Sequence, residues 1–386
     1  MEINKNIVEM RKKRQSQQQK WAMILMVICG AIIGALSGGY GEVFLSSVSG
    51  DIPQPIAIVL YVVLTAIIIA ISLMFHVYIH ECGHMIFGRM TGYTFQSIRF
   101  GSFMFVKIDG KVKIKKYSLA GTGGQCLMLP PENSTDVPVV AYNLGGIFAN
   151  LIFSAIFFML IIILPLPMIV RIVFAYLILL GIGLAIINGI PLSSLSNDGY
   201  NAMCLRKDKD ARQAFKISLM INDRITNGEH TKDMPREWFE YNEKRLDNNF
   251  TSSMAVSRLN YLVYCHNFIE AKELAANILE NALFLANTHE IMVNAEFLYC
   301  SIMTADDKKS ITEQFNSQLD KLKLLKSLPS TLRVMYSCYM YIGEAKKAEE
   351  TKIAFENMAK KYPYPSEIID ERELMDIALT QINNNN

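Results

Sequence analysis

Apolar and polar positions divide the chain into a hydrophobic first half and a charge-rich second half. Four long apolar runs fall in the first half, at about 21–41, 56–88, 139–164 and 168–190. A helix needs roughly 20 apolar residues to cross the hydrocarbon core of a bilayer, and each run is long enough. The pattern therefore predicts an α-helical polytopic membrane protein with four transmembrane helices, preceded by a basic cytoplasmic tail at 1–20.

The basic residues around these runs predict how the chain crosses the membrane. Six Lys or Arg residues precede the first run, none lies between the first and second runs, and seven lie between the second and third. Basic loops stay on the cytoplasmic side. We therefore expect a multi-pass protein of the cell membrane with both termini in the cytoplasm.

Between the second and third runs, apolar and polar residues alternate in two short stretches. Two alternating stretches flank Asp109-Gly110, a dipeptide that favours a tight two-residue hairpin turn. We therefore predict a β-hairpin over about 103–117. For Gly123-Gly124, a little further on, two roles stay open: a plain loop, or a segment that closes over a site.

Residues 201–386 are rich in charged residues and helix formers. We expect helical pairs at about 253–280, 290–319 and 330–361. Tyr-Cys or Ser-Cys pairs recur in them, beginning at residues 264, 299 and 337. This spacing is close to the roughly 34-residue tetratricopeptide (TPR) period. The pattern predicts a cytoplasmic all-α helical-repeat (TPR-like) domain with a Tyr/Cys/Ala stripe in its interior.

Composition narrows the classes of function. The net charge of +2 gives no indication of a nucleic-acid partner, and none is expected. The seven cysteines are scattered without Cys-x-x-Cys spacing, which indicates reduced thiols rather than a disulfide framework or a structural zinc site. The first apolar run lacks a small-residue cleavage site, so we interpret it as an uncleaved transmembrane helix.

The end of the second apolar run carries the motif His80-Glu81-Cys82-Gly83-His84. Residues four apart lie on one face of a helix, so both imidazoles can hold one zinc ion. Glu81 beside them is placed to accept a proton from a water molecule. Ionisable groups at membrane depth are costly and usually have a function. The motif therefore favours a catalytic zinc site over a chance occurrence of these residues.

A catalytic zinc ion usually has three protein ligands, so a third is required. Asp198 follows the fourth run, where Pro191 ends the helix and Gly199 permits a tight turn. The second and fourth runs both pass from outside to inside, which brings Asp198 and the His-Glu motif to the same cytoplasmic end. We predict Asp198 as the third ligand; the alternative is a residue that only stops the helix.

At this point the sequence resembles a known family, the site-2 proteases, which are intramembrane zinc metalloproteases. The resemblance covers residues 56–200. His80, Glu81 and His84 match the family's His-Glu-x-x-His pattern on one transmembrane helix. The hairpin is similar to the membrane-associated β-hairpin of the family. The first apolar run and the carboxy-terminal helical domain lie outside the family core.

Two further family motifs are approximated with departures. The Asn-x-x-Pro-x-x-x-x-Asp-Gly pattern resembles the stretch from Asn188 through Pro191 to Asp198, with two more residues between the Pro and the Asp. The Gly-Pro-x-x-Asn motif resembles the stretch from Gly146 to Asn150, with Ile in place of the Pro.

The resemblance implies a membrane-embedded metalloprotease domain over 21–200 with Zn²⁺ as its cofactor. Its metal ligands would be His80, His84 and Asp198, and Glu81 would be the catalytic base. Asn150 is expected to bind the substrate backbone, with a helix-to-helix hydrogen bond as the alternative. His76 shares the face of His80 and is expected to line the site. The hairpin edge would hold an unwound substrate segment.

Two classes of function stay open. The first is an intramembrane protease that cuts a membrane-bound protein or peptide. The second is a non-enzymatic scaffold or transporter-like protein that recruits a cytoplasmic partner through its helical domain. The complete ligand set and the glutamate favour the enzyme, with the lipid bilayer and a membrane-bound substrate as its partners.

Overall fold

The computed structural model of the protein describes residues 5–47, 52–116, 123–131, 137–193, 196–240 and 245–384. It divides into two compact units. The membrane unit comprises Arg14–Phe100 and Gly123–Lys207. The carboxy-terminal unit comprises Met1–Lys13, Gly101–Thr122 and Asp208–Asn386.

In the part of the chain that the structure describes, four long apolar helices confirm the prediction of four segments able to cross a bilayer. They are α1 (Lys5–Ser47), α2 (Gln54–Met90), α3 (Val139–Ile163) and α4 (Met168–Gly189). The apolar part of α1 runs over Gln19–Ser46. Many of their aliphatic side chains are exposed, among them Val59 and Ile71. An aliphatic surface along a whole helix is favourable in contact with lipid tails and unfavourable in contact with water.

Prolines mark where three of these helices begin. Pro53, Pro138 and Pro167 occupy the positions just before α2, α3 and α4. A proline there sacrifices no helical hydrogen bond, and its fixed φ suits the first turn. Helices α2 and α3 then cross closely at Gly83, where an added β-carbon would lie 2.4 Å from Gly145 O. Small residues at a crossing let two membrane helices approach backbone to backbone.

Two strands and one short helix make up the other regular elements that the structure describes in the membrane unit. Strands β1 (Thr94–Phe100) and β4 (Gly124–Leu129) pair antiparallel, with a bulge between Phe95 and Ser97. Helix α5 (Asp198–Lys207) follows α4. Neither β1 nor β4 was predicted from the sequence, because their apolar and polar positions alternate over only part of each strand.

The predicted hairpin is confirmed as strands β2 (Phe103–Ile108) and β3 (Lys111–Lys116). Asp109 and Gly110 both have positive φ, 51° and 75°, as a type I′ turn requires. In the carboxy-terminal unit, Lys115 Nζ donates to Pro363 O at 2.7 Å. The hairpin therefore packs with the carboxy-terminal helices.

Over the described residues, eight helices form the rest of the carboxy-terminal unit, with two short 3₁₀ turns at Thr231–Asp233 and Arg236–Phe239. The helices are α6 (Lys209–Thr226), α7 (Asn249–Tyr264), α8 (Phe268–Asn281), α9 (Asn287–Met303), α10 (Lys308–Leu324), α11 (Pro329–Ile342), α12 (Ala345–Ala359) and α13 (Pro365–Asn384). From α7 to α12 they follow one another in pairs at the predicted places; a TPR-like relation between the pairs stays a prediction. Helix α13 was not predicted from the sequence.

Much of the predicted Tyr/Cys/Ala stripe is in the core. Ala271, Tyr299, Cys300 and Cys338 are fully buried. Cys265 is exposed instead, because it lies in the turn after α7.

A buried charge cluster ties three of these helices together. Arg333 on α11 is 1% exposed and contacts both Glu296 on α9 and Glu371 on α13. Its guanidinium also stacks over the ring of Tyr299, 4.1 Å from the centroid. Because buried charges need partners, this cluster fixes where α13 docks.

Candidate metal centre

Three side chains from two helices of the membrane unit converge on one point. His80 Nε2 lies 2.9 Å and His84 Nε2 3.5 Å from Asp198 Oδ2, and the two Nε2 atoms are 3.1 Å apart. The histidines share one face of α2, and Asp198 is the first residue of α5. Within the described residues, these three form the one group of His, Cys, Asp and Glu side chains that could hold a metal ion.

The hydrogen bonds around this group suit a cation. His84 Nδ1 donates to Tyr142 O at 2.8 Å, so a neutral His84 ring offers a lone pair at Nε2. Asp198 Oδ2 is buried, and within the part of the chain that the structure describes it faces the Nε2 atoms of His80 and His84. Two imidazole nitrogens and a carboxylate oxygen are a donor set that zinc prefers. The residues present therefore fit a zinc ion.

Asn197 holds Asp198 in place. Its Oδ1 accepts hydrogen bonds from Leu192 N at 3.0 Å and Tyr200 N at 3.2 Å, and its Nδ2 donates to Ile187 O at 2.7 Å and Ile190 O at 2.6 Å. No role for Asn197 was predicted from the sequence. The signal was there, because Asn is a preferred residue immediately before a helix, where it caps the first free N–H groups.

Glu81 lies beside the group and is 8% exposed. A β-carbon on Gly124, at the start of β4, would stand 2.7 Å from Glu81 Oε1. The backbone of β4 therefore touches the predicted base. Of the two roles left open for Gly123-Gly124, this contact favours the segment that closes over the site.

Asn150 and His76 contact each other behind the group. Asn150 is fully buried, and its amide lies 3.1 Å from His76 Nδ1 and 3.3 Å from His80 Nδ1. His76 Nε2 faces Leu177 O on α4 at 2.7 Å, so His76 is not among the atoms that converge on Asp198. Asn150 thus joins α3 to α2 in this structure.

A family comparison agrees with this geometry. The model of peptidase family M50 matches residues 68–295, which is more than half of the chain. The matched stretch contains the His-Glu motif, Asn150 and Asp198. No curated protein matches the chain in a sequence search. No solved structure matches it either.

Proposed function

The chain belongs to peptidase family M50, the site-2 protease family of intramembrane metalloproteases, and we propose that it is a zinc-dependent endopeptidase. Its reaction would be hydrolysis of a peptide bond in or near the transmembrane segment of a membrane-bound protein or peptide. The observation that carries the proposal is the convergence of His80, His84 and Asp198 next to Glu81.

Each of these side chains has a task in hydrolysis. His80, His84 and Asp198 would hold the zinc ion. Bound zinc supplies a positive charge that polarises a carbonyl group and activates water. Glu81 accepts a proton from the attacking water and returns it to the leaving amine.

The substrate segment has to leave its helical form, because a helix shields its own peptide bonds. Strand β4 pairs with β1 on one side, and no other described strand pairs along its other side. That edge begins at Gly124, in contact with Glu81. We propose that an unwound substrate adds to β4 as a further strand. This replaces the hairpin edge of the sequence analysis with an edge that touches the base.

We place the protein in the cell membrane with both termini in the cytoplasm, because basic residues cluster before the first run and between the second and third. The carboxy-terminal helices would then be available to a cytoplasmic protein partner. Neither proposal needs nucleic acid.

The test compares ligand variants with a base variant. His80→Ala, His84→Ala and Asp198→Ala each remove one metal contact and should lower both zinc content and cleavage. Glu81→Gln keeps size and hydrogen bonding but cannot accept the proton. It should retain about one zinc ion per chain and lose cleavage by on the order of a hundredfold or more. Cys82→Ala, next to Glu81 but outside the group, is the matched control.

Zinc is measured by atomic emission on purified protein, and cleavage by the mobility of membrane peptides in cells. If the wild-type protein binds no zinc after reconstitution, the proposal of a zinc-dependent peptidase is wrong. If Glu81→Gln fully complements a deletion of the gene, the protein does not act by proteolysis, and the alternative function as a non-enzymatic scaffold is supported instead.

A further inference from the structure

One arginine ties the start of α1 to the helices of the carboxy-terminal unit. Arg11 is 7% exposed, although the segment around it is polar and charged. Its Nε donates to Ala282 O at 3.0 Å, and its Nη2 donates to Ala282 O and, at 3.2 Å, to Leu279 O. Its Nη1 lies 3.5 Å from Glu290 Oε2. Residues from distant parts of the chain therefore meet at this guanidinium group.

The end of α8 suits a cation. The last carbonyl groups of a helix lack intrahelical donors and carry a partial negative charge. Helix α8 has no basic residue of its own in its last turn. Arg11 supplies both the donors and the positive charge, and Glu290 in the first turn of α9 adds a full negative charge beside it. We call Leu279 O, Ala282 O and the Glu290 carboxylate the guanidinium site.

The docking of this segment depends on one side chain. Among the described side chains from residue 9 to residue 20, Arg11 is the buried one, and its neighbours Met10 and Lys13 are exposed. Hydrogen bonds from a charged group are strong, but they form and break as one set when a single guanidinium carries them. The segment can therefore leave the guanidinium site without disturbing the packing of another side chain.

Charge gives the released segment a second place to bind. Residues 1–20 contain six Lys or Arg residues and two Glu residues, and the apolar part of α1 follows directly. A basic cluster on the cytoplasmic side of a transmembrane helix is attracted to anionic lipid headgroups. A guanidinium buried in the guanidinium site cannot contact headgroups. For Arg11 the two modes of binding therefore exclude each other.

The apolar part of α1 is held separately, within the membrane unit. Ser37 Oγ lies 2.6 Å from Tyr176 OH on α4, and Tyr61 OH on α2 donates to Ser37 O. These bonds join α1 to two other membrane helices. Release of Arg11 therefore moves the segment before the apolar part and leaves the membrane helix in place.

We propose that Arg11 is the latch of a lipid-sensitive strap, in which the amino-terminal segment exchanges between the guanidinium site and an anionic lipid surface. Over neutral lipid the carboxy-terminal unit binds the segment, and over anionic lipid it releases it. The inference uses the cytoplasmic placement of the amino terminus proposed above. It does not depend on zinc or on peptidase activity.

The experiment measures the distance between two spin labels on full-length protein in lipid nanodiscs. The protein is cysteine-free except for Met10→Cys on α1 and Glu273→Cys on α8, both at exposed positions. In neutral lipid, this parent protein should give one narrow distance by pulsed electron paramagnetic resonance. Arg11→Met keeps a long side chain but removes the charge and the donors. It should lose most of the narrow population.

Lys13→Met is the matched control, because it removes an equal charge from an exposed position on the same helix. It should keep the narrow distance in neutral lipid. Glu290→Gln removes the carboxylate but leaves the carbonyl groups, so it should lose less of the narrow population than Arg11→Met. In an equal mixture of neutral and anionic lipid, the parent protein itself should lose the narrow distance.

A second pair of labels, at 273 and 324 in the carboxy-terminal helices, distinguishes release from unfolding and should keep its distance in every variant. A distance in Arg11→Met as narrow as in the parent protein would overturn the inference. So would a broad parent distance in neutral lipid, or a parent distance that stays narrow in anionic lipid. The lipid comparison needs no substitution at Arg11, so it decides the question even if Arg11→Met fails to fold.

Discussion

Gly124 lies so close to Glu81 that a β-carbon on the glycine would stand 2.7 Å from Glu81 Cγ. Real β-carbons do not approach this closely, so Gly124→Ala has to move the carboxylate or the strand. Displacing a catalytic group by a fraction of an ångström is enough to slow a reaction severalfold. We expect Gly124→Ala to lower cleavage by on the order of tenfold, with zinc content unchanged.

The neighbouring glycine provides the control. A β-carbon on Gly123 would meet Val77 at 3.6 Å, an ordinary contact. Gly123→Ala should therefore cleave like wild type in the same gel assay. Equal cleavage by both variants would show that the closeness of β4 to Glu81 has no part in the reaction.

Asn197 should matter for zinc binding without touching the metal. Asn197→Ala removes four hydrogen bonds between the end of α4 and the start of α5, which fix Asp198. Outer contacts of this kind usually change metal affinity by about 10- to 100-fold. Chelator competition should show that loss. Asn201→Ala, whose Oδ1 has no partner within the described residues, should bind zinc normally.

Local structure could be predicted well from the sequence where it depends on residues close together in the chain. The i, i+4 spacing placed His80 and His84 together, and Asp109-Gly110 gave the hairpin turn. Both depend on neighbouring residues alone. The prediction that Asp198 lies near the histidines used only the direction in which each helix crosses the membrane.

Other contacts depend on how distant elements pack, and the sequence alone does not determine that. The contact of Asn150 with His76 requires the close crossing of α2 and α3. The role of Asn197 depends on the path of the turn between α4 and α5. Helix α13 docks in part through Glu371, whose charge is buried against Arg333 on α11, and the apolar pattern of a helix does not show which distant residue it will contact.

Arg333 should be essential to the carboxy-terminal unit. Arg333→Met leaves the buried carboxylates of Glu296 and Glu371 without their cation. Losing one partner of a buried ion pair costs about 3–5 kcal/mol of unfolding free energy. Arg372→Met breaks an exposed pair with Glu356 and should cost at most about 1 kcal/mol. Urea unfolding followed by circular dichroism in detergent measures both.

Replacing the whole buried cluster is the sharper comparison. Arg333→Met together with Glu296→Leu and Glu371→Leu removes the charges as a set, and most of the lost stability should return. A triple variant no more stable than Arg333→Met alone would mean that shape, rather than charge, holds α13.

Glu367 should make stability depend on pH. Burial raises its pKa to about 7, and the negative charges of Glu371 and Asp370 act in the same direction. The folded state therefore binds a proton that the unfolded state has released. This favours folding below pH 7, and the benefit is lost as the pH rises through the folded-state pKa. The stability advantage of Glu367→Gln over wild type should grow between pH 5 and 8.

Thermal unfolding at several pH values tests this expectation. Glu349→Gln, an exposed substitution on α12, supplies the matched control and should track wild type. A constant difference between Glu367→Gln and wild type across the range would contradict the raised pKa.

The crossing of the membrane can be tested with single cysteines in a cysteine-free protein. Cysteines at 46 and 166 should react with an impermeant thiol reagent in intact cells. Those at 111 and 324 should react only after permeabilisation; Lys111 and Leu324 are both exposed, so access to the side chain does not limit the reaction. Labelling at 111 from outside would reverse the proposed orientation.

The crowded glycines of the membrane unit have a genetic consequence. Every missense change of a glycine codon adds a β-carbon, whatever residue it encodes. At Gly83, Gly124 and Gly146 that atom would collide with Gly145 O, with Glu81 and with the ring of His80. A screen for loss-of-function alleles should therefore recover substitutions at these three codons as readily as at the codons for His80 and Asp198.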